Sequence, residues 1–257
     1  MFGSADAWTR LWQMASSGFA TAAAYQKAQG NNPDGTRNPA YEVLLDVDNL
    51  IDYMLVIFYG GNLDAPISNF IGNTSPNNWF GFRHTNGLSG FRFVAHDSEH
   101  TLLDVNQDRT GPYPAGDPVN GGGLLKSNPQ YVFQQLWANA EFNLRCADRI
   151  QKHFFNGGAL TPQAAIARFM KRKAEIDRAV VGESARWGDA QREPPLTRNA
   201  EWMAEINRIT NSYMPQRTGI VLNQLKAKGL YPNVTAPSFN QFGGNVPSGF
   251  QLTMTAP

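Results

Sequence analysis

One cysteine, Cys146, is all that this 257-residue chain holds. An intramolecular disulfide and a cysteine-rich metal site are therefore excluded. The apolar helical run around Cys146 predicts a small buried hydrophobe. Long hydrophobic stretches are missing as well. No apolar run approaches the ~20 residues that cross a bilayer, so no membrane span is expected. Excess charge is lacking too, with 22 Lys plus Arg against 21 Asp plus Glu. That balance removes the electrostatic case for nucleic acid or an anionic membrane as a partner. The opening residues, MFGSADAWTRLWQ, lack a charged region followed by an apolar stretch, and so do not read as a signal peptide. A helical pattern begins almost at once, and we expect the chain to be a segment of a larger multidomain protein. No Gly-x-Ser-x-Gly, His-Glu-x-x-His or dinucleotide fingerprint occurs.

What is present suits a globular domain: 42% apolar and 17% charged residues, with 24 Gly and 16 Pro that predict long loops. Trp8, Leu11, Trp12 and Ala15 stand at helical spacing in an Ala-rich run from residue 5 to about 28, closed by the turn cluster Asn31–Gly35. A strand-like piece, Tyr41–Leu45, leads to Asp46, which reads as the N-cap of a helix over 47–59. That helix is apolar on a wide face, and Gly60-Gly61 ends it. Two aromatic segments, Trp79–His84 and Phe91–Ala95, flank Asn86-Gly87 and predict a β-hairpin. The stretch from 104 to 126 reads as a long loop. Helices follow from Asn128-Pro129 through Leu144 and Ile150, and from Thr161-Pro162 with Ile166, Phe169, Met170, Ile176 and Val180 inward. The bases on the other face of that last helix read as a solvated surface, because Glu175 and Asp177 interrupt them. A further helix near 199–213 is expected to break at Pro215, where the final helix starts and runs to Lys228. Residues 1–232 thus form the body, and 233–257, rich in Pro, Asn and Gly, an exit linker.

The chemistry concentrates between Gly60 and Leu102. A polar loop carries Asn62, Asp64 and Asn69, and the hairpin then leads to Asp97 and Glu99. A hairpin brings its flanks together, so the two acidic groups should meet, as metal or proton-transfer sites require. Protein kinases use this order: a catalytic-loop Asp, a metal-holding Asn five residues on, two strands, then a metal-binding Asp. On spacing alone, Asx-type hydrogen bonding within the loop is the better reading of Asp64 and Asn69. Asp97 and Glu99, at the end of an apolar strand, argue more strongly, since paired buried carboxylates need a cation or a shared proton.

Asp46-x-Asp48-Asn49-Leu50-Ile51-Asp52-Tyr53, then Gly61-Asn62-x-Asp64, then the aromatic hairpin ending in Asp97-x-Glu99, resembles the CotH family of atypical kinase-like proteins. The resemblance extends through RCADRIQKHFFNGGALTP, SARWGD and PQRTGIVLNQL, nearly the whole chain. It implies an α+β, mostly helical fold, a kinase-like C-lobe with a hairpin between catalytic-loop and metal-binding motifs. It implies Mg2+-dependent phosphoryl transfer from ATP to a protein Ser or Thr, with Mn2+ or Ca2+ as substitute ions. By position, Asp64 corresponds to the catalytic-loop Asp, while Asn69, Asp97 and Glu99 supply the metal ligands and Asn62 and His96 support them. A spore-coat, cell-surface or extracellular location is implied as well.

Two departures qualify the resemblance. The family often has Trp-Asp-x-Asp where this chain has His96-Asp97-Ser98-Glu99. Glu99 adds a methylene and His96, with His100 following, replaces an aromatic wall. A His-His-Asp-Glu transition-metal site is the sharper reading of that pattern, and two structural histidines the better one. Secondly, a kinase-like fold needs a phosphate-covering loop and a nucleotide-binding Lys, and no such Lys is found. Lys27, at a helix end, is the sole lysine before the 47–59 helix and reads as solvated, while Gly121-Gly122-Gly123 comes too late. The nucleotide-binding lobe is expected to be absent here and activity impaired without it. The alternatives are a non-catalytic coat or surface module that keeps the fold and a divalent ion, and a hydrolase pairing Asp64 with Asp97 or Glu99.

Overall fold

Asp46 stops the extended chain and starts the central helix, its carboxylate accepting the Asn49 N–H at 3.0 Å. From there Leu50, Ile51, Met54, Leu55, Ile57 and Phe58 recur so densely that the helix is wrapped on most sides and sits in the core. Gly61 ends it in the left-handed conformation (φ 59°), which a side chain would strain. The computed structural model describes residues 4–114, 123–190 and 192–256. It is mostly helical, with α1 (Asp6–Ser17), α2 (Ala22–Ala28), α3 (Val47–Gly60), β1 (Trp79–Phe82), β2 (Arg92–Ala95), α4 (Pro129–Leu136), α5 (Ala140–Phe154), α6 (Pro162–Trp187), α7 (Met203–Arg208), α8 (Met214–Ala227), β3 (Ser238–Phe239) and β4 (Met254–Thr255). This bears out the α+β, mostly helical reading.

Around α3 pack β2, α4, α5 and α8. Strands β1 and β2 pair antiparallel, Trp79 opposite Ala95 and Phe82 opposite Arg92. Their inner face is closed by α1, whose Trp8 ring lies 5.1 Å from Trp79 and 5.4 Å from Phe91. Trp8 donates its indole N–H to Ser127 at 2.8 Å, satisfying the buried polar end. Asn49 ties helix to hairpin by exchanging two bonds with the Phe93 backbone, N–H to Oδ1 at 2.6 Å and Nδ2 to the carbonyl at 3.3 Å. At Gly90 a Cβ would lie 2.1 Å from the Leu45 carbonyl carbon, so only glycine admits this crossing.

The C-terminal end of α3 is closed by a cation rather than by water. Arg217 of α8 is fully buried and donates to the carbonyls of Tyr59 (2.9 Å), Val105 (2.5 Å), Gln107 (2.7 Å) and Phe58. Tyr213 adds its hydroxyl to the Tyr59 carbonyl at 2.9 Å. These bonds satisfy carbonyls that a helix end leaves open.

Several expectations are corrected. The first helix is two helices: Gly18 turns at φ 87°, Phe19 is buried, and Thr21 caps α2 by accepting the Ala24 N–H. Tyr41–Leu45 is irregular, with a single bridge from Leu45 to Phe91. The first hairpin strand ends at Phe82 and not His84, and residues 83–91 join the strands, because Arg83 anchors the loop on the carbonyls of Val43 and Ser89 and on Glu42. Asn139 interrupts the run after residue 128 and caps α5, leaving Leu144 70% exposed. In α6 only Ala165 is buried; Met170 and Ile176 are exposed, since the helix lies on the surface with few elements against it. Pro215 does not break the chain: a widened turn at 209–213 carries it straight into α8, with the proline in the first turn, where its missing N–H costs nothing. Part of the 104–126 loop and two glycines of the Gly121–Gly123 run lie outside the described residues. The 233–256 tail is mostly exposed, with β3 and β4 paired antiparallel.

Candidate functional site

The sequence after Gly61 cannot continue a helix and folds back on its own polar side chains. Asn62, buried, accepts the Asp64 N–H on Oδ1 at 2.9 Å. That turn points the Asp64 carboxylate inward, where it is 9% exposed. Oδ2 accepts from the amides of Asn77 and Asn78, each at 2.9 Å, and Oδ1 accepts from the Ser68 hydroxyl. Arg109, also buried, stands close enough for its charge to interact with Asp64, and donates to the Asn73 side chain at 2.7 Å and to the Ile67 carbonyl. Burial pushes the Arg109 guanidinium below its ordinary value, against the charges of Tyr113, Asp108 and Asp64. A guanidinium stays protonated even so.

The two acidic segments do meet. Asn78, at the base of β1, donates one amide nitrogen to Asp64 Oδ2 at 2.9 Å and to the Asp97 carbonyl at 3.3 Å. Backbone bonds stitch the same segments together, Leu63 N–H to the His100 carbonyl at 3.0 Å and Leu102 N–H to the Gly60 carbonyl at 2.7 Å. Asn78 and Asp97 hold φ of 43° and 47°. That region costs a non-glycine residue about 1 kcal/mol or more, and such residues cluster where a site fixes its geometry.

The remaining expected site residues lie outside. Asn69 begins a short 3-10 turn capped by Ser68, and its side chain is exposed, accepting from Asn73 at 3.3 Å. Asp97 is exposed and its carboxylate has no partner among the described residues. Glu99 is exposed and stands 3.4 Å from His100, whose ring also meets Phe70 edge-on at 4.8 Å. His96 is exposed, its carbonyl accepting from Ser98 at 3.3 Å. Among the described residues, no three His, Cys, Asp or Glu side chains converge on a point where a metal ion could sit. Lys27 is exposed beside the Tyr41 ring.

Sequence reasoning missed four residues of this network: Ser68, Asn77, Asn78 and Arg109. The Asn77-Asn78 doublet just before an aromatic strand was a usable signal, because paired amides at a hairpin base face the opposite flank. Arg109 had none, since it arrives from an irregular loop.

The family model described as CotH kinase protein matches residues 23–221, well over half of the chain. The chain belongs to the CotH family. No curated protein and no solved structure matches it. The CotH match spans α2 to the middle of α8 and contains both acidic segments. Within it, the acidic residues near 46–52 are spent on the fold. Asp46 caps α3 and pairs with Arg92 at 2.9 Å, Asp48 pairs with Arg145 at 2.6 Å, and Asp52 binds Arg149 and His153, the latter at 2.9 Å. This ladder joins α3 to α5.

Proposed function

We propose that this CotH domain is a kinase-like C-terminal lobe that moves the γ-phosphoryl group of ATP to a Ser or Thr hydroxyl of a protein, with Mg2+ as the metal. The observation that carries the reading is the single Asn78 amide bridging Asp64 and the Asp97 backbone. It ties the buried Asp64 carboxylate to the backbone of the solvent-exposed Asp97, residues that would orient the hydroxyl and hold the metal. A carboxylate has about four acceptor sites. Two donors on Oδ2 and one on Oδ1 leave Oδ1 a lone pair for an acceptor hydroxyl. Held by three donors, Asp64 does not reorganise as it orients that hydroxyl and takes up its proton.

The donor set suits Mg2+, which takes hard oxygens and only one or two protein carboxylates. Asp97 offers an uncommitted carboxylate, while Asn69, on the loop before the hairpin, and Glu99, paired with His100, would be its further oxygen donors. Mn2+ or Ca2+ would accept the same donors. When bound, the ion neutralises charge on the phosphate oxygens. The family name goes with spore coats, and we place the protein in a coat or at the cell surface.

A non-catalytic coat module is the second reading, favoured by the hydrogen bonds that already stabilise Asp64 without substrate. The hydrolase reading is weaker, because it needs two carboxylates facing one substrate, and Asp64 is buried while Asp97 and Glu99 are exposed. Transfer of labelled γ-phosphate from Mg2+·ATP to protein serine or threonine decides between them. The phosphotransfer reading expects transfer by the wild type and a loss of at least ~100-fold in Asp64→Asn. Transfer unaffected by Asp64→Asn, or none from the wild type, overturns it.

A further inference from the structure

A cleft of about 550 Å³ opens beside the Asp64 centre, between the last turns of α3, residues 98–102 and the first half of α6. One end is formed by Asn62, which holds the Asp64 N–H, and by Ser98, next to Asp97. Its floor is apolar, built by Ile57, Tyr59, Phe169 and Met214. Val56, 48% exposed on a helix otherwise buried, faces the same space. Along α6 the cleft is lined by Arg168, Lys171 and Arg172, and no Asp or Glu lines it. Arg168 donates to the Ala159 carbonyl and Arg172 pairs with Glu175 on the exposed side. Lys171 has no partner among the described residues. The whole chain carries a net charge of only +1, and with Arg172 paired to Glu175 the cleft still keeps the charges of Arg168 and Lys171, a local excess.

We propose that this cleft seats the segment of the acceptor protein that flanks the phosphorylated hydroxyl, and that this segment is acidic around an apolar anchor. The cations on α6 match carboxylates and the floor takes a Leu or Phe side chain, while the Asn62 and Ser98 end delivers the neighbouring Ser or Thr towards Asp64. Steering by such charges sets specificity and encounter rate. The occupant's identity as acceptor rests on the phosphotransferase reading, but its acidic, apolar chemistry rests on the cleft alone.

The test is fluorescence anisotropy with the full chain and three labelled short peptides of one length: acidic residues around Leu and Ser, the same with basic residues, and the same with neutral polar residues. The acidic peptide is expected to bind at least about tenfold tighter than the others, weakening as salt rises. Lys171→Glu/Arg172→Glu, on the rim of the cleft, is expected to abolish that preference with circular dichroism unchanged. Val56→Glu should do the same from the floor. Equal affinity for all three peptides, acidic binding that survives both variants, or displacement by free ATP at stoichiometric levels overturns the proposal. Binding is read without transfer, so Asp64→Asn and Asp97→Ala separate the two claims. Acidic-peptide binding that persists in variants dead for transfer sustains the cleft even where the catalytic reading has failed.

Discussion

Two buried guanidinium groups carry more of this structure than any surface ion pair. Among the described residues Arg217 forms no ion pair with a carboxylate, and its hydrogen-bond partners are carbonyls. Burial lowers its pKa below the ordinary value and the neighbouring Tyr213, Asp108 and Asp104 oppose that. What holds it is four carbonyls at the end of α3 and in the loop after Asp104. Replacing it by Met removes a desolvated charge, a gain, but leaves those carbonyls without donors, a larger loss. Arg217→Met is expected to lower stability by about 2–4 kcal/mol. Urea denaturation checks this, and a change under ~0.5 kcal/mol would show that water replaces the guanidinium without cost. Lys would not restore the loss, because a single ammonium cannot reach four carbonyls in a fork. Arg109 does the corresponding work at the Asp64 loop, joining Ile67, Asn73 and, through its carbonyl, Gln130.

Between elements, the α3–α5 contact is a polar ladder on an apolar base. Asp48 feels burial, which raises its pKa, but the Arg145 hydrogen bond and the charges of Arg145, Arg149 and Lys152 together outweigh it and hold the carboxyl below its usual range. A depressed folded-state pKa means stability that is present above the unfolded value, ~3.9 for Asp, and lost as pH falls through the folded value. The midpoint of thermal unfolding should therefore fall below about pH 4 more steeply in the wild type than in Asp48→Asn. Parallel curves would remove Asp48 from the linkage. Helix α3, its Asp46 cap and its glycine end were legible in the sequence because capping and helical burial are local signals. The hairpin was legible for the same reason, but its nine-residue connection was not, since it depends on Arg83 reaching Val43. The face of α6 misled because apolar spacing reads as inward even on a helix with little to pack against. In the candidate site, the approach of the Asp64 and Asp97 segments was legible, because a hairpin brings its flanks together. The donors that hold Asp64 were not, as Asn77, Asn78 and Arg109 reach it only once the chain has folded.

On the scale of the molecule, α3 presents its C-terminal end, the Asp64 loop and the base of the hairpin on one side, where the exposed Asp97 and the cationic cleft also lie. Among the described residues no helix is long and apolar enough to cross a membrane. The proposed phosphoryl transfer rests on membership of the CotH family and on the Asn78 amide that joins the Asp64 and Asp97 segments. Isothermal calorimetry of ATP binding, with and without Mg2+, tests the central claim most directly. The account predicts heat that requires Mg2+ and an affinity loss of at least about tenfold in Asp97→Ala, from the lost metal ligand. ATP binding that is the same without Mg2+ and in Asp97→Ala would contradict it.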